Sequence, residues 1–156
     1  MKMANLLEGN KKNYYFGNIA YIVAEQATCL SAAKGAVIVR DGKFIISTGY
    51  NGAPMGVGSC LDKNQCHKRA LGFGHGEGHH VCLASHAEAN AIIIAARLGA
   101  STEGATMYCT HKPCFSCAKM IINSGIKTVI FIEDYPDQYT EDILEQAGVE
   151  LFQLFY

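Results

Sequence analysis

Residues 86–117 read HAEANAIIIAARLGASTEGATMYCTHKPCFSC. Ala87 to Leu98 is alanine-rich, has Ile92 to Ala96 apolar on most sides and stops before Gly99, so it reads as a helix buried all round. Thr106–Cys109 is a strand. Pro113 then opens a second helix from Cys114 to about Asn123, with Gly125 as its stop signal. On the C-terminal side the alternation continues with a strand at Thr128–Ile132 and a helix at Thr140–Ala147 ended by Gly148. Val149–Phe155 is the last strand. On the N-terminal side Tyr14–Ala27 carries Ile19, Ile22 and Val23 at helical spacing, with Phe16 a turn before. Ala36–Val39 and Phe44–Tyr50 are β-prone runs joined by Arg40-Asp41-Gly42-Lys43, whose Asp-Gly is a hairpin signal. A helix, two strands, a loop and then alternating helix and strand predict one layered α/β domain over residues 1–156, built on a mixed sheet.

Composition narrows the partners. Of 156 residues 49% are apolar, enough for a sizeable core, and the formal net charge is only -1. Lys11–Lys12 and Lys68–Arg69 are isolated pairs that read as a solvated face. A protein that grips polynucleotide phosphate usually carries a basic stripe, and none is visible, so small substrates are expected. No segment has the length of a membrane span, and Met1–Asn13 is polar without a signal peptide's apolar run. A cytoplasmic location is therefore expected. In a reducing compartment the seven cysteines read as metal ligands, catalytic groups or core thiols rather than disulfides. Asn51 to Ala84 holds seven glycines among Cys and His with no sustained apolar period. So long a structureless stretch needs another source of order, which a metal would supply.

The chemistry concentrates at His86-Ala87-Glu88 and Pro113-Cys114-Phe115-Ser116-Cys117. Two thiolates three apart on a first helical turn point the same way and can share one ion with His86. Three protein ligands leave a fourth tetrahedral position for water, as in catalytic rather than structural zinc sites. Both helix N-termini present positive dipole ends, which favour thiolate over thiol. Glu88, two residues past His86, can reach the open position without binding the metal and move protons there. H-x-E with P-C-x-x-C is the signature of the zinc deaminases. A structural zinc site with Glu88 as a solvated helix acid is the plainer alternative, and it gives Glu88 no task.

Beyond these motifs the chain resembles the deoxycytidylate (dCMP) deaminases of bacteria, phages and animals, from about Ala20 to Leu154. The likeness is carried by Gly35-Ala36-Val37-Ile38-Val39 with Ser47-Thr48-Gly49-Tyr50-Asn51-Gly52, by His86-Ala87-Glu88-Ala89-Asn90-Ala91-Ile92, and by Ser124-Gly125-Ile126-Lys127 running on to Tyr135. It implies a three-layer α-β-α fold with a five-stranded mixed sheet, and hydrolysis of dCMP to dUMP and ammonia. It makes Glu88 the catalytic residue and assigns the catalytic zinc to His86, Cys114 and Cys117. It makes Asn51 a substrate or effector contact, with Ala87 at the base, and Tyr135 the ring beside the pyrimidine. Read alone, Asn51-Gly52 is also a turn signal and Tyr135 also a surface aromatic. The resemblance further implies a hexamer, dCTP activation and dTTP inhibition.

Bacterial and phage members of that family carry a second zinc, and by position Cys29, Cys60, His75 and Cys82 match its ligands. Four ligands without an open position would make that zinc structural. His79 and His80, then Cys66 and His67, are the alternatives to His75, while Cys109 reads as core. The chain departs from its relatives at Ser31-Ala32-Ala33-Lys34-Gly35-Ala36 and at Leu83-Ala84, which leaves the phosphate-binding cation between Lys34 and Lys112. A deaminase of another base, such as guanine or tRNA adenosine, and a catalytically silent zinc module are the rival readings.

Overall fold

Apolar residues on both faces of the first strand decide the architecture. In β1 (Gly35–Arg40), Ala36, Val37, Ile38 and Val39 are all excluded from water. A strand buried on both faces needs a layer on each side. A computed structural model, which describes residues 11–135 and 137–156, has those layers. The reading of Met1–Asn13 lies outside the described residues up to residue 10.

The other strands are β2 (Phe44–Tyr50), β3 (Thr106–His111), β4 (Thr128–Glu133) and β5 (Glu150–Gln153), and together they form one five-stranded sheet in the order β2-β1-β3-β4-β5. β1 runs antiparallel to β2 and β3, while β3, β4 and β5 are parallel, so the sheet is mixed as expected. The helices are α1 (Lys11–Ala24), α2 (His67–Ala70), α3 (Ala87–Arg97), α4 (Phe115–Asn123) and α5 (Gln138–Gln146). α1 covers one face, where Phe16 and Ala20 meet Val37, Val39, Tyr108, Ile130 and Leu154. α3, α4 and α5 cover the other, where Ala91, Ala118, Ile121 and Leu144 meet Ile38, Met107, Val129 and Phe131. No helix among the described residues is long and apolar enough to cross a membrane.

Two local features fix the hairpin and its partner helix. Asp41 and Gly42 both take positive φ, 55° and 60°, the two left-handed residues of a tight hairpin turn. Gly49 lies where β2 meets α3, and a Cβ there would collide with the Ala87 carbonyl and the Ala91 backbone. That close approach corrects the expectation that α3 is buried all round. Only alanines fit against β2, so Ala87, Ala91 and Ala95 turn inward while Ile93 and Ile94 stay 51% and 38% exposed. α1 also starts and ends about three residues earlier than its apolar period suggests, and β5 is shorter, although Leu154 N–H still donates to the Phe131 carbonyl.

The glycine-rich stretch from Asn51 to Ala84 contains only α2 and a single 3-10 turn at His79–Val81. Its ends are joined by a two-way backbone bridge, Gly52 N–H to Ser85 O at 3.2 Å and Ser85 N–H to Gly52 O at 2.9 Å. The bridge delivers the chain directly to His86.

Candidate active site

Strand register gathers the site residues at one edge of the sheet. Gly35 pairs with Tyr50, Ala36 with Cys109, and His111 with Glu133. The residues next along the chain at that edge are therefore Lys34, Asn51, Lys112 and the Asp134–Tyr135 loop. Ligand sites of open α/β sheets lie in such a crevice, beyond the carboxyl ends of the parallel strands. Here the crevice is a cavity of about 800 Å³ whose wall includes Lys34, Asn51, His86, Glu88, Cys114, Cys117 and Tyr135.

His86 is the N-cap of α3 and Cys114 the N-cap of α4, both with extended backbone, while Cys117 lies in α4's first turn. His86 Nδ1 stands 3.4 Å from the Cys114 sulfur and 3.4 Å from the Cys117 sulfur. Around tetrahedral zinc, with Zn–S near 2.3 Å and Zn–N near 2.0–2.1 Å, such ligand atoms stand about 3.5–3.8 Å apart. The three residues fit one zinc ion. Among the described residues they are the only three His, Cys, Asp or Glu side chains whose ligand atoms lie within 4.8 Å of one another.

The protons of the cradle show how closely its groups are coupled. The Cys117 thiol bonded to the Cys114 sulfur, with His86 beside it, holds the Cys114 thiol down to about 3. Cys117 is pushed above its ordinary value because its proton serves Cys114 and because it is buried beside Glu88. The bond to Cys114 raises His86 in turn. One divalent cation at their centre would replace the shared protons. Glu88, only 6% exposed, has Oε2 3.6 Å from the Cys117 sulfur, and burial raises its carboxyl above the usual range.

The other expected residues divide. Asn51 lines the cavity, but its amide holds a neighbouring turn: Oδ1 accepts Lys34 N–H at 2.8 Å and Nδ2 donates to the Ala32 carbonyl at 2.8 Å. That turn aims Lys34, whose Nζ lies 5.7 Å from the centre of the Tyr135 ring. Lys112 is instead held by Asp134 and Glu141, at 2.9 and 2.8 Å. Ala87 packs into the core against β2 and is not part of the cavity wall, where Ala89 stands instead.

Cys29, Cys60 and Cys82 line the same cavity, whereas His75 is exposed and is not part of its wall. Cys66, His67, His79 and His80 do line it. Ser31 joins two of the thiols, its N–H donating to the Cys29 sulfur at 3.4 Å and its hydroxyl to the Cys66 sulfur at 3.9 Å. The Arg69 backbone N–H holds the Cys66 thiol below its ordinary value. These groups face one another across the loop without closing to ligand distance. Cys109 is core, as read.

Sequence reasoning missed Asp137. Its Oδ1 accepts Thr140 N–H at 3.1 Å, capping α5, while Oδ2 accepts Phe115 N–H at 3.3 Å at the start of α4. An Asp just before a helical run was a usable signal for the cap. The reach to Phe115 had none.

His86, Cys114 and Cys117 spaced for one zinc ion, with the buried Glu88 carboxylate beside them, match the H-x-E and P-C-x-x-C signature of the zinc deaminases. The sequence profile of the cytidine and deoxycytidylate deaminase zinc-binding region matches residues 10–133, and the chain belongs to that family. It is 40% identical to the deoxycytidylate deaminase of enterobacteria phage T4, covering 87% of this chain and 86% of that one. It is also 40% identical to ComE operon protein 2 of Bacillus subtilis, covering 91% of this chain and 70% of that one. The crystal structure of dCMP deaminase from cyanophage S-TIM5 in complex with dCMP and dUMP superimposes with a TM-score of 0.72 at 28% identity, covering 90% of this chain and 95% of that one.

Proposed function

We propose that the protein hydrolyses dCMP to dUMP, with water as co-substrate and ammonia as second product. The observation that carries the reading is Glu88, buried beside the three-ligand cradle on the wall of a cavity of about 800 Å³. Relatives named for this reaction, and a solved neighbour holding dCMP and dUMP, support the substrate. His86, Cys114 and Cys117 would hold zinc, which when bound lowers the pKa of water from 15.7 to about 7. Glu88 takes the proton of the attacking water and passes it to the pyrimidine ring nitrogen. A second transfer through the same carboxylate reaches the amine leaving from C4. Tyr135 stands beside the pyrimidine. Lys34, for which the described residues supply no carboxylate partner, faces the phosphate, and Asn51 sets the turn that carries it.

The reading includes a second, structural zinc on Cys29, Cys60 and Cys82. Cys66 takes the place first assigned to His75, supported by its position on the cavity wall and its link through Ser31 to Cys29. Exposed Ile93 and Ile94 on α3, with Leu98 at its C-cap, support assembly of several copies, a hexamer by resemblance. Regulation by dCTP and dTTP rests on resemblance alone. Seven free cysteines support a cytoplasmic, reducing location. Ammonia release from dCMP, cytidine, dCTP and a tRNA anticodon stem tests the function: dCMP alone should be turned over rapidly. A preferred tRNA stem would move the protein to another branch, and silence on all four would make it a zinc module.

A further inference from the structure

Lys112 lies two residues before Cys114, and only 4% of it is exposed. A buried ammonium is costly unless paired, and this one is paired twice, to Asp134 Oδ1 at 2.9 Å and Glu141 Oε1 at 2.8 Å. Its backbone N–H also donates to the Glu133 carbonyl at 2.9 Å, extending the contact of β3 with β4 past the end of the sheet. Asp134 directly precedes Tyr135. On the other side of Tyr135, Asp137 accepts the Phe115 N–H within the metal-ligand turn. Tyr135 is thus bracketed by two ties, both leading to residues 112–115. One cation between two carboxylates leaves that group net negative, which would repel a phosphate.

We propose that Lys112 is a positioning residue: its clamp on Asp134 and Glu141 fixes the Tyr135 loop to the turn that bears Cys114 and Cys117. Tyr135 and the metal ligands are thereby held in one frame, so a base lying against the ring meets the metal centre at a set distance. The inference rests on the reading of Tyr135 as the ring beside the pyrimidine.

The test compares kcat and KM for dCMP and deoxycytidine in the zinc-loaded wild type, Lys112→Met, Asp134→Asn, Tyr135→Ala and the Lys112→Met/Tyr135→Ala double variant. Lys112→Met and Asp134→Asn should raise KM about tenfold for both substrates, with kcat within about threefold and zinc retained. On the Tyr135→Ala background, Lys112→Met should cost less than about a further twofold, because the two residues act through one loop. Independent losses that multiply in the double variant would overturn the proposal, as would no loss in either clamp variant. A loss confined to dCMP would overturn it in favour of direct phosphate contact. If Lys112→Met fails to fold, Asp134→Asn, a half-exposed residue, carries the same comparison with the same outcomes. A Tyr135→Ala variant that binds dCMP normally overturns the Tyr135 reading together with the clamp. A damaged Tyr135→Ala beside silent clamp variants overturns the clamp alone.

Discussion

Two cysteine-rich regions of this molecule face the same cavity and differ in how they are built. His86, Cys114 and Cys117 sit at the starts of α3 and α4, helices locked to the sheet by Ala91, Ala118 and Ile121. Their ligand atoms already stand at zinc spacing. Cys29, Cys60, Cys66 and Cys82 sit on loops whose regular structure amounts to α2 and one 3-10 turn. Their side chains share a cavity wall without converging. Where packed helices carry the ligands, the fold makes the site; where a glycine-rich loop carries them, the ion must do part of the folding.

That contrast is open to direct attack. The largest effect expected is at the pre-formed site: Glu88→Gln should keep its zinc and lose about 10²–10⁴-fold in kcat, since the carboxylate serves each proton transfer. Retention of more than about a tenth of wild-type turnover would remove Glu88 from that role. Next come the metals. The purified protein should hold two zinc ions per chain. Cys114→Ser should abolish turnover with little loss of thermal stability, whereas Cys60→Ser should lower zinc toward one per chain and lower Tm. A stoichiometry of one in the wild type refutes the loop site. Cys66→Ser, His79→Ala and His80→Ala, assayed for zinc, sharpen the choice of fourth ligand, and only Cys66→Ser should lose an ion. The smallest expected effect is Tyr135→Ala, which should weaken dCMP by roughly 1–3 kcal/mol through lost stacking, the range for base–aromatic contacts.

The same contrast marks what could be read from the sequence. The helices, strands and hairpin follow from local periodicity and turn chemistry, and the gathering of His86, Glu88, Cys114 and Cys117 follows from short spacings on two helix starts. Each signal lies within a few residues of the group it places. α3 defeated the pattern because it is apolar all round: alanine and isoleucine both count as apolar, and only the approach at Gly49 decides which of them turns inward. In the glycine-rich loop, spacing does not fix direction, so His75 was ranked ahead of Cys66, although Cys66 lines the cavity and His75 does not. Lys112 was one of two candidates for the phosphate-binding cation, and its pairing with Asp134 and Glu141 depends on the register of β3 with β4, which is non-local. Asn51 was legible as a site residue but not as the one that holds Lys34 in place.

We propose that this cavity takes a free deoxynucleotide and uses its phosphate. Lys34 has no carboxylate partner among the described residues, and a phosphate would give it charge-assisted hydrogen bonds that a nucleoside cannot. The direct measurement is kcat/KM of the zinc-loaded wild type for dCMP against deoxycytidine at fixed ionic strength. dCMP should be favoured by more than about a hundredfold, about 2.8 kcal/mol, because binding energy remote from the reacting carbon also supports the chemical step. Equal kcat/KM for nucleoside and nucleotide would contradict it.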